Sequence, residues 1–205
     1  MRIPILYLTS ILCGFCMMAL EMIGARLLQP SFGSSVDTWA AIITVFILSL
    51  SIGYVVGGRI ADRVRTNLVL GWVILLSGVA YCLLPVYGLA FTESLHESVQ
   101  TARYGVMVGA LVLFLVPSLL LGCVSPMLVK LVFVDASQVG RTTGTLYAIG
   151  SVGNVLGILG ANYLLMPYLN INSTLLGMGA ILLALGLAHI ALRMKLEDAP
   201  VATQS

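Results

Sequence analysis

MALEMIGARLLQPSFGSSVDTW, residues 18–39, closes one long apolar stretch, carries Glu21 inside it and opens the next stretch at Trp39. A carboxylate in hydrocarbon costs about 2.5 to 3.5 kcal/mol on insertion scales, so it normally faces a partner, a cavity or a ligand. The rest of the chain makes this setting a membrane. Of 205 residues, 60% are hydrophobic and 9% charged, with a mean hydropathy of +1.07. Ordinary soluble domains are roughly 25% charged, so the composition specifies a polytopic membrane protein. The apolar runs are long enough for helices crossing a core of about 30 Å and lack the alternation of outer-membrane strands, which makes the fold class all-α.

Six transmembrane spans emerge, at residues 3–28, 38–58, 68–91, 104–129, 144–167 and 172–192. Arg2, Arg59, Arg63, Arg65, Lys130, Arg141, Arg193 and Lys195 fall on one side, Arg26 and Arg103 on the other. Short cytoplasmic loops retain positive charge, which predicts both termini in the cytoplasm. The N-terminus has a charged start and an apolar core but no small-x-small cleavage site, so it reads as an uncleaved helix. Residues 1–196 form one membrane domain, and the polar tail 197–205 is too short to fold alone. Asp37 is expected to cap the second helix, Trp39 to anchor it at the interface, and residues 92–103 to form a short surface helix. Three spans lie on each side of that loop, as in transporters built from repeats, yet no residue-level repeat is visible.

Glu21 falls in the outer half of the membrane, about 1.5 Å per residue after Ile3. It is either a site for a cation or proton, or a buried carboxylate tied to another helix. Arg26, five positions on and about 140° around the helix, is no partner for it and is placed to snorkel to headgroups. In the fifth span Tyr147, Gly150, Asn154, Gly157 and Ala161 share one face, with Gly153 and Gly160 adjoining. Glycines there let another backbone approach, and Asn154, near mid-membrane, needs a bond across a helix interface or to a ligand. Gly53/Gly57 and Gly105/Gly109 are further close-contact pairs, and self-association through glycine-rich faces is the expectation. Pro117 and Pro126 are placed to kink the fourth span beside Ser118 and Ser125. His189 reads as interfacial and His96 as solvent-side, while the four cysteines behave as small hydrophobes within spans. No catalytic set, metal-ligand cluster or phosphate loop stands out, so the chain alone is not expected to be an enzyme, to hold a cofactor or to bind nucleic acid.

Leu20-Glu21, Ala25-Arg26-Leu27-Leu28, Pro30, Phe32-Gly33, Trp39, Gly53-Tyr54 and Gly57-Gly58, with Gly144 to Ala148, Gly153-Asn154 and Gly157, resemble the membrane domain of bacterial membrane-bound spermidine synthase-like proteins. Those are fusions of a major-facilitator-like segment with an aminopropyltransferase. Gly58-Arg59-Ile60-Ala61-Asp62-Arg63 is similar to the major facilitator loop between its second and third helices, though Val64-Arg65-Thr66 replaces the usual Gly and basic pair. The resemblance implies a six-helix, half-major-facilitator-like bundle in the bacterial inner membrane. It implies a transporter-like or membrane-anchoring subunit of a spermidine synthase-like system, with a separately encoded soluble aminopropyltransferase-like partner or a second copy. The ligand implied is a small amine, attracted by Glu21 and hydrogen-bonded by Tyr147 and Asn154. Asp62 and Arg63 would lock a helix end. The alternative is a structural or assembly module without a small-molecule site.

Overall fold

The computed structural model describes residues 2–64, 66–98, 102–132 and 139–192. Six helices account for them: α1 (Arg2–Phe32), α2 (Val36–Arg63), α3 (Asn67–Ser98), α4 (Ala102–Val132), α5 (Val139–Tyr168) and α6 (Ile171–Leu192). Each contains a segment long and apolar enough to span a membrane, 22 to 30 residues in length. The protein is an all-α polytopic membrane protein.

Local chemistry sets the boundaries. α1 ends where Gly33 takes φ +75° and its N–H reaches the Gln29 carbonyl at 2.8 Å, a left-handed cap that a side chain would strain. Ser35, rather than Asp37, caps α2: its Oγ accepts from the Thr38 N–H at 3.2 Å, and Asp37 lies in the first turn. Asn170 starts α6 in the same way, accepting from Ser173 N–H at 2.7 Å. The expected surface helix is instead the end of α3, which continues through Thr92 to Ser98. Residues 99–101, Arg65, most of the α4–α5 connection and everything after Leu192 lie outside the described residues.

The helices pack as three close pairs, α1 with α5, α2 with α4, and α3 with α6. Gly153 and Gly157 of α5 face the Ile11 and Phe15 carbonyls of α1, whereas Gly53 and Gly57 of α2 face the Leu119 and Cys123 carbonyls of α4. A Cβ at Gly53 or Gly57 would sit 2.5 Å from those oxygens, so only glycine permits the approach. In α3 and α6, Gly71 meets Gly186 and Gly78 meets Gly179, each facing the other's carbonyl. The glycine faces expected to join two copies are thus occupied inside one chain.

These contacts reveal a repeat that residue identity conceals. One shift in numbering takes Ile11, Gly14 and Phe15 of α1 to Leu119, Gly122 and Cys123 of α4, and Gly71 and Gly78 of α3 to Gly179 and Gly186 of α6. A shorter shift takes Leu50, Gly53 and Gly57 of α2 to Gly150, Gly153 and Gly157 of α5. Applying both shifts converts the α1–α5 contacts into the α2–α4 contacts and returns the α3–α6 contacts as the same set. Phe32 packs on Gly105, Leu28 on Gly109 and Gly24 on Phe114, so α1 runs antiparallel to its counterpart α4. The two halves are inverted repeats about a pseudo-two-fold axis in the membrane plane.

Candidate functional site

A cavity of about 180 Å³ lies among α1, α2, α4 and α5. Eight of its wall positions form four repeat-related pairs, Cys13 with Leu121, Met17 with Ser125, Leu50 with Gly150, and Tyr54 with Asn154, so the cavity sits on the pseudo-two-fold axis. Its polar groups are Ser10, Tyr54, Ser125, Tyr147, Ser151 and Asn154, and no charged side chain lines it among the described residues. Ser10 Oγ donates to the Leu146 carbonyl at 3.4 Å. Asn154 makes no hydrogen bond to another helix among the described residues, although its Oδ1 lies where a Cβ on Gly14 would come within 2.8 Å. The amide is therefore held beside α1 with no hydrogen bond among the described residues.

Tyr147 and Asn154 are brought together here, as the sequence suggested. Glu21 is adjacent but does not line this cavity. It lies on α1 one turn beyond Met17 and Met18, which do, and one turn before Ala25, which lines a second cavity of about 170 Å³. The carboxylate is half-buried and has no hydrogen bond or ion pair among the described residues. Gly24 packs on Phe114 in the antiparallel α4, so Ser118 falls at the depth of Glu21, and its buried hydroxyl also lacks a partner among the described residues. Glu21 thus sits on α1 between the levels of the two cavities, and its carboxylate is unpaired among the described residues.

The second cavity is at the end of the bundle carrying the α1–α2 turn. It takes in Arg26, Gln29, Ser34, Trp39 and Asn162. Arg26 is exposed, and it makes no ion pair with Glu21 or any other described residue. Asn162 is carried by a π-helical segment, Gly160–Leu165, that widens α5 at this level. Sequence reading missed Tyr54, Ser151, Gln29 and Asn162. The signal for the first two was their place beside close-contact glycines: Ser151 adjoins Gly150, and Tyr54 adjoins Gly53.

Gly150, Gly153 and Gly157 serve packing, as their spacing predicted, but Gly58 does not, because a Cβ there would meet nothing within 4 Å. Asp62 forms an ion pair with Lys130 of α4 at 3.5 Å, both side chains being exposed, so the pair is worth at most about 1 kcal/mol. Arg63 is exposed and lies outside that pair.

At the opposite end, His189 is fully buried rather than interfacial. Thr9 Oγ1 donates its only hydrogen to the Ile5 carbonyl at 2.8 Å, so His189 Nε2, also 2.8 Å from that oxygen, must be the donor to it. Asn67 Nδ2 donates to the His189 carbonyl at 2.9 Å. Three helices are knotted by buried polar contacts. His96 is exposed, as expected, with its ring edge-to-face with Phe32.

The fold and cavities define the class, a six-helix integral membrane protein with an internal inverted repeat. Comparison with protein-family models, curated proteins and solved structures found no match to this chain.

Proposed function

We propose that the chain is a transporter-like subunit, one half of a major-facilitator-like arrangement, that binds or passes a small amine or related metabolite across a bacterial inner membrane. Both termini then face the cytoplasm, where Arg59, Arg63, Lys130 and Arg141 gather at one end of the bundle. The observation that carries this reading is the central cavity on the repeat axis with an unpaired carboxylate one turn away. Transporters with inverted repeats bind substrate at that place, near the midplane. Tyr147, Tyr54 and Asn154 supply hydrogen-bonding groups, and Glu21 supplies the charge that draws an ammonium inward. A volume of about 180 Å³ holds on the order of six waters, enough for an amine group and a short aliphatic stem.

A spermidine synthase-like assignment rests on the motif resemblance. It adds a soluble aminopropyltransferase-like subunit docked on the basic end, or a second copy completing the cavity wall. The rival reading, an anchoring or assembly module, draws on Gly150, Gly153 and Gly157, whose role is packing. Glu21 and Asn154 argue against it, since neither bonds another helix among the described residues.

Equilibrium binding of a short linear polyamine to the purified protein in nanodiscs decides between them. Glu21→Gln should weaken binding at least tenfold, and Tyr147→Phe and Asn154→Leu severalfold, with the fold retained. Identical binding by the wild type and a folded Glu21→Gln variant rejects the amine site.

A further inference from the structure

The cavity of about 170 Å³ at the α1–α2 turn carries chemistry opposite to that of Glu21. Its walls come from α1, the α1–α2 turn, α2 and α5, and Arg26 is the only charged side chain in that lining among the described residues. No described residue pairs with Arg26. Gln29, Ser34, Trp39 and Asn162 add N–H or O–H donors around the same space. Thr38 is not available, because its hydroxyl already donates to the Gly33 carbonyl at 2.9 Å. Asp37 stands in the same turn of α2 but is not part of the wall and has an interaction of its own.

An independent feature points to the same place. α5 is α-helical up to Leu159 and then runs as a π-helix over Gly160–Leu165, with Asn162 within the widened turn. Such segments cost hydrogen-bond quality and concentrate at functional sites. Here the widening accompanies the presence of an amide opposite Arg26. A guanidinium matches the planar two-oxygen edge of a carboxylate or phosphate, and neighbouring neutral donors complete the remaining lone pairs.

We propose that this cavity binds an anionic group, a carboxylate or a phosphate, through Arg26 with Gln29 and Asn162. The source is either a soluble molecule or a lipid headgroup, which share that chemistry. The site does not depend on the amine reading, since it uses neither Glu21, Tyr147 nor Asn154.

Trp39 lies in the wall and Trp72, the other tryptophan, lies exposed on α3, so Trp72→Phe leaves a single reporter in the cavity. The Trp72→Phe protein in phosphatidylcholine nanodiscs is titrated with inorganic phosphate and with acetate at constant ionic strength. In parallel, nanodiscs with rising phosphatidylglycerol content are compared. A saturable change in Trp39 emission is expected, shifted at least tenfold to weaker binding by Arg26→Gln, severalfold by Asn162→Leu, and partly restored by Arg26→Lys. A response to phosphate or acetate assigns a soluble ligand, and a response confined to phosphatidylglycerol assigns a headgroup; both support the site. No response to any anion, or an identical one in Arg26→Gln, overturns it.

Discussion

Thr9 and Glu21 are on one helix, twelve residues apart, and their environments are opposite. Thr9 is fully buried with its hydrogen donated to Ile5 and its oxygen accepting from His189, whose carbonyl is bonded in turn by Asn67. Glu21 is half-buried between two cavities and bonds nothing among the described residues. The first polar group is consumed in joining α1, α3 and α6. The second, chemically far more demanding, is left open where space exists beside it. Thr9 is thus completed by the protein itself, although His189 Nδ1 and Asn67 Oδ1 beside it have no partner among the described residues, whereas the charged Glu21 is left open altogether.

Breaking the closed side has the largest expected effect. His189→Leu removes the donor to Thr9 and leaves a buried acceptor unmade, which should cost about 3 kcal/mol in thermal or denaturant unfolding of the nanodisc-held protein. Gly153→Val comes next: its side chain would overlap the Ile11 backbone and pry α1 from α5, at about 2 kcal/mol. Gly58→Ala is its control, since the space there is open, and it should leave stability unchanged or raise it by up to about 1 kcal/mol. On the open side, Glu21→Gln should alter stability by less than about 1 kcal/mol, because no bond is lost, while polyamine binding falls. The smallest effect belongs to Asp62→Asn, under about 0.5 kcal/mol, since the Lys130 pair it breaks is exposed and screened. A large loss of stability in Glu21→Gln, or none in His189→Leu, would erase the distinction.

Much of this was legible in the sequence. Six apolar stretches and their connections gave six helices, although α2 and α3 run several residues past the predicted ends because polar end residues such as Asp62 and Arg63 continue the helical hydrogen bonding. The face of α5 holding Tyr147 and Asn154 does reach a cavity. The repeat was not legible, for a physical reason. What the halves share is glycine against backbone carbonyl, and a carbonyl is common to every residue, so Ile11 and Leu119 or Phe15 and Cys123 are equivalent without being alike. The shift relating α2 to α5 also differs from that relating the other helices, so no single alignment of the two halves displays it. Glycine spacing likewise specifies close approach but not whose backbone approaches, which is why a contact between copies and a contact within the chain looked the same. His189 misled because its nearness to a helix end resembles an interfacial position, while its partners Thr9 and Asn67 are remote in sequence.

The pairing of α1 with α5, α2 with α4 and α3 with α6 has a consequence for biogenesis. Every helix of the first half finds its closest neighbour in the second, so a ribosome that has delivered α3 to the bilayer has delivered three unsatisfied grooves and no finished seam. Assembly waits on synthesis of the later helices. Residues 1–98 and 102–205, expressed as separate polypeptides in one cell, should each insert and then recover the native bundle only by meeting.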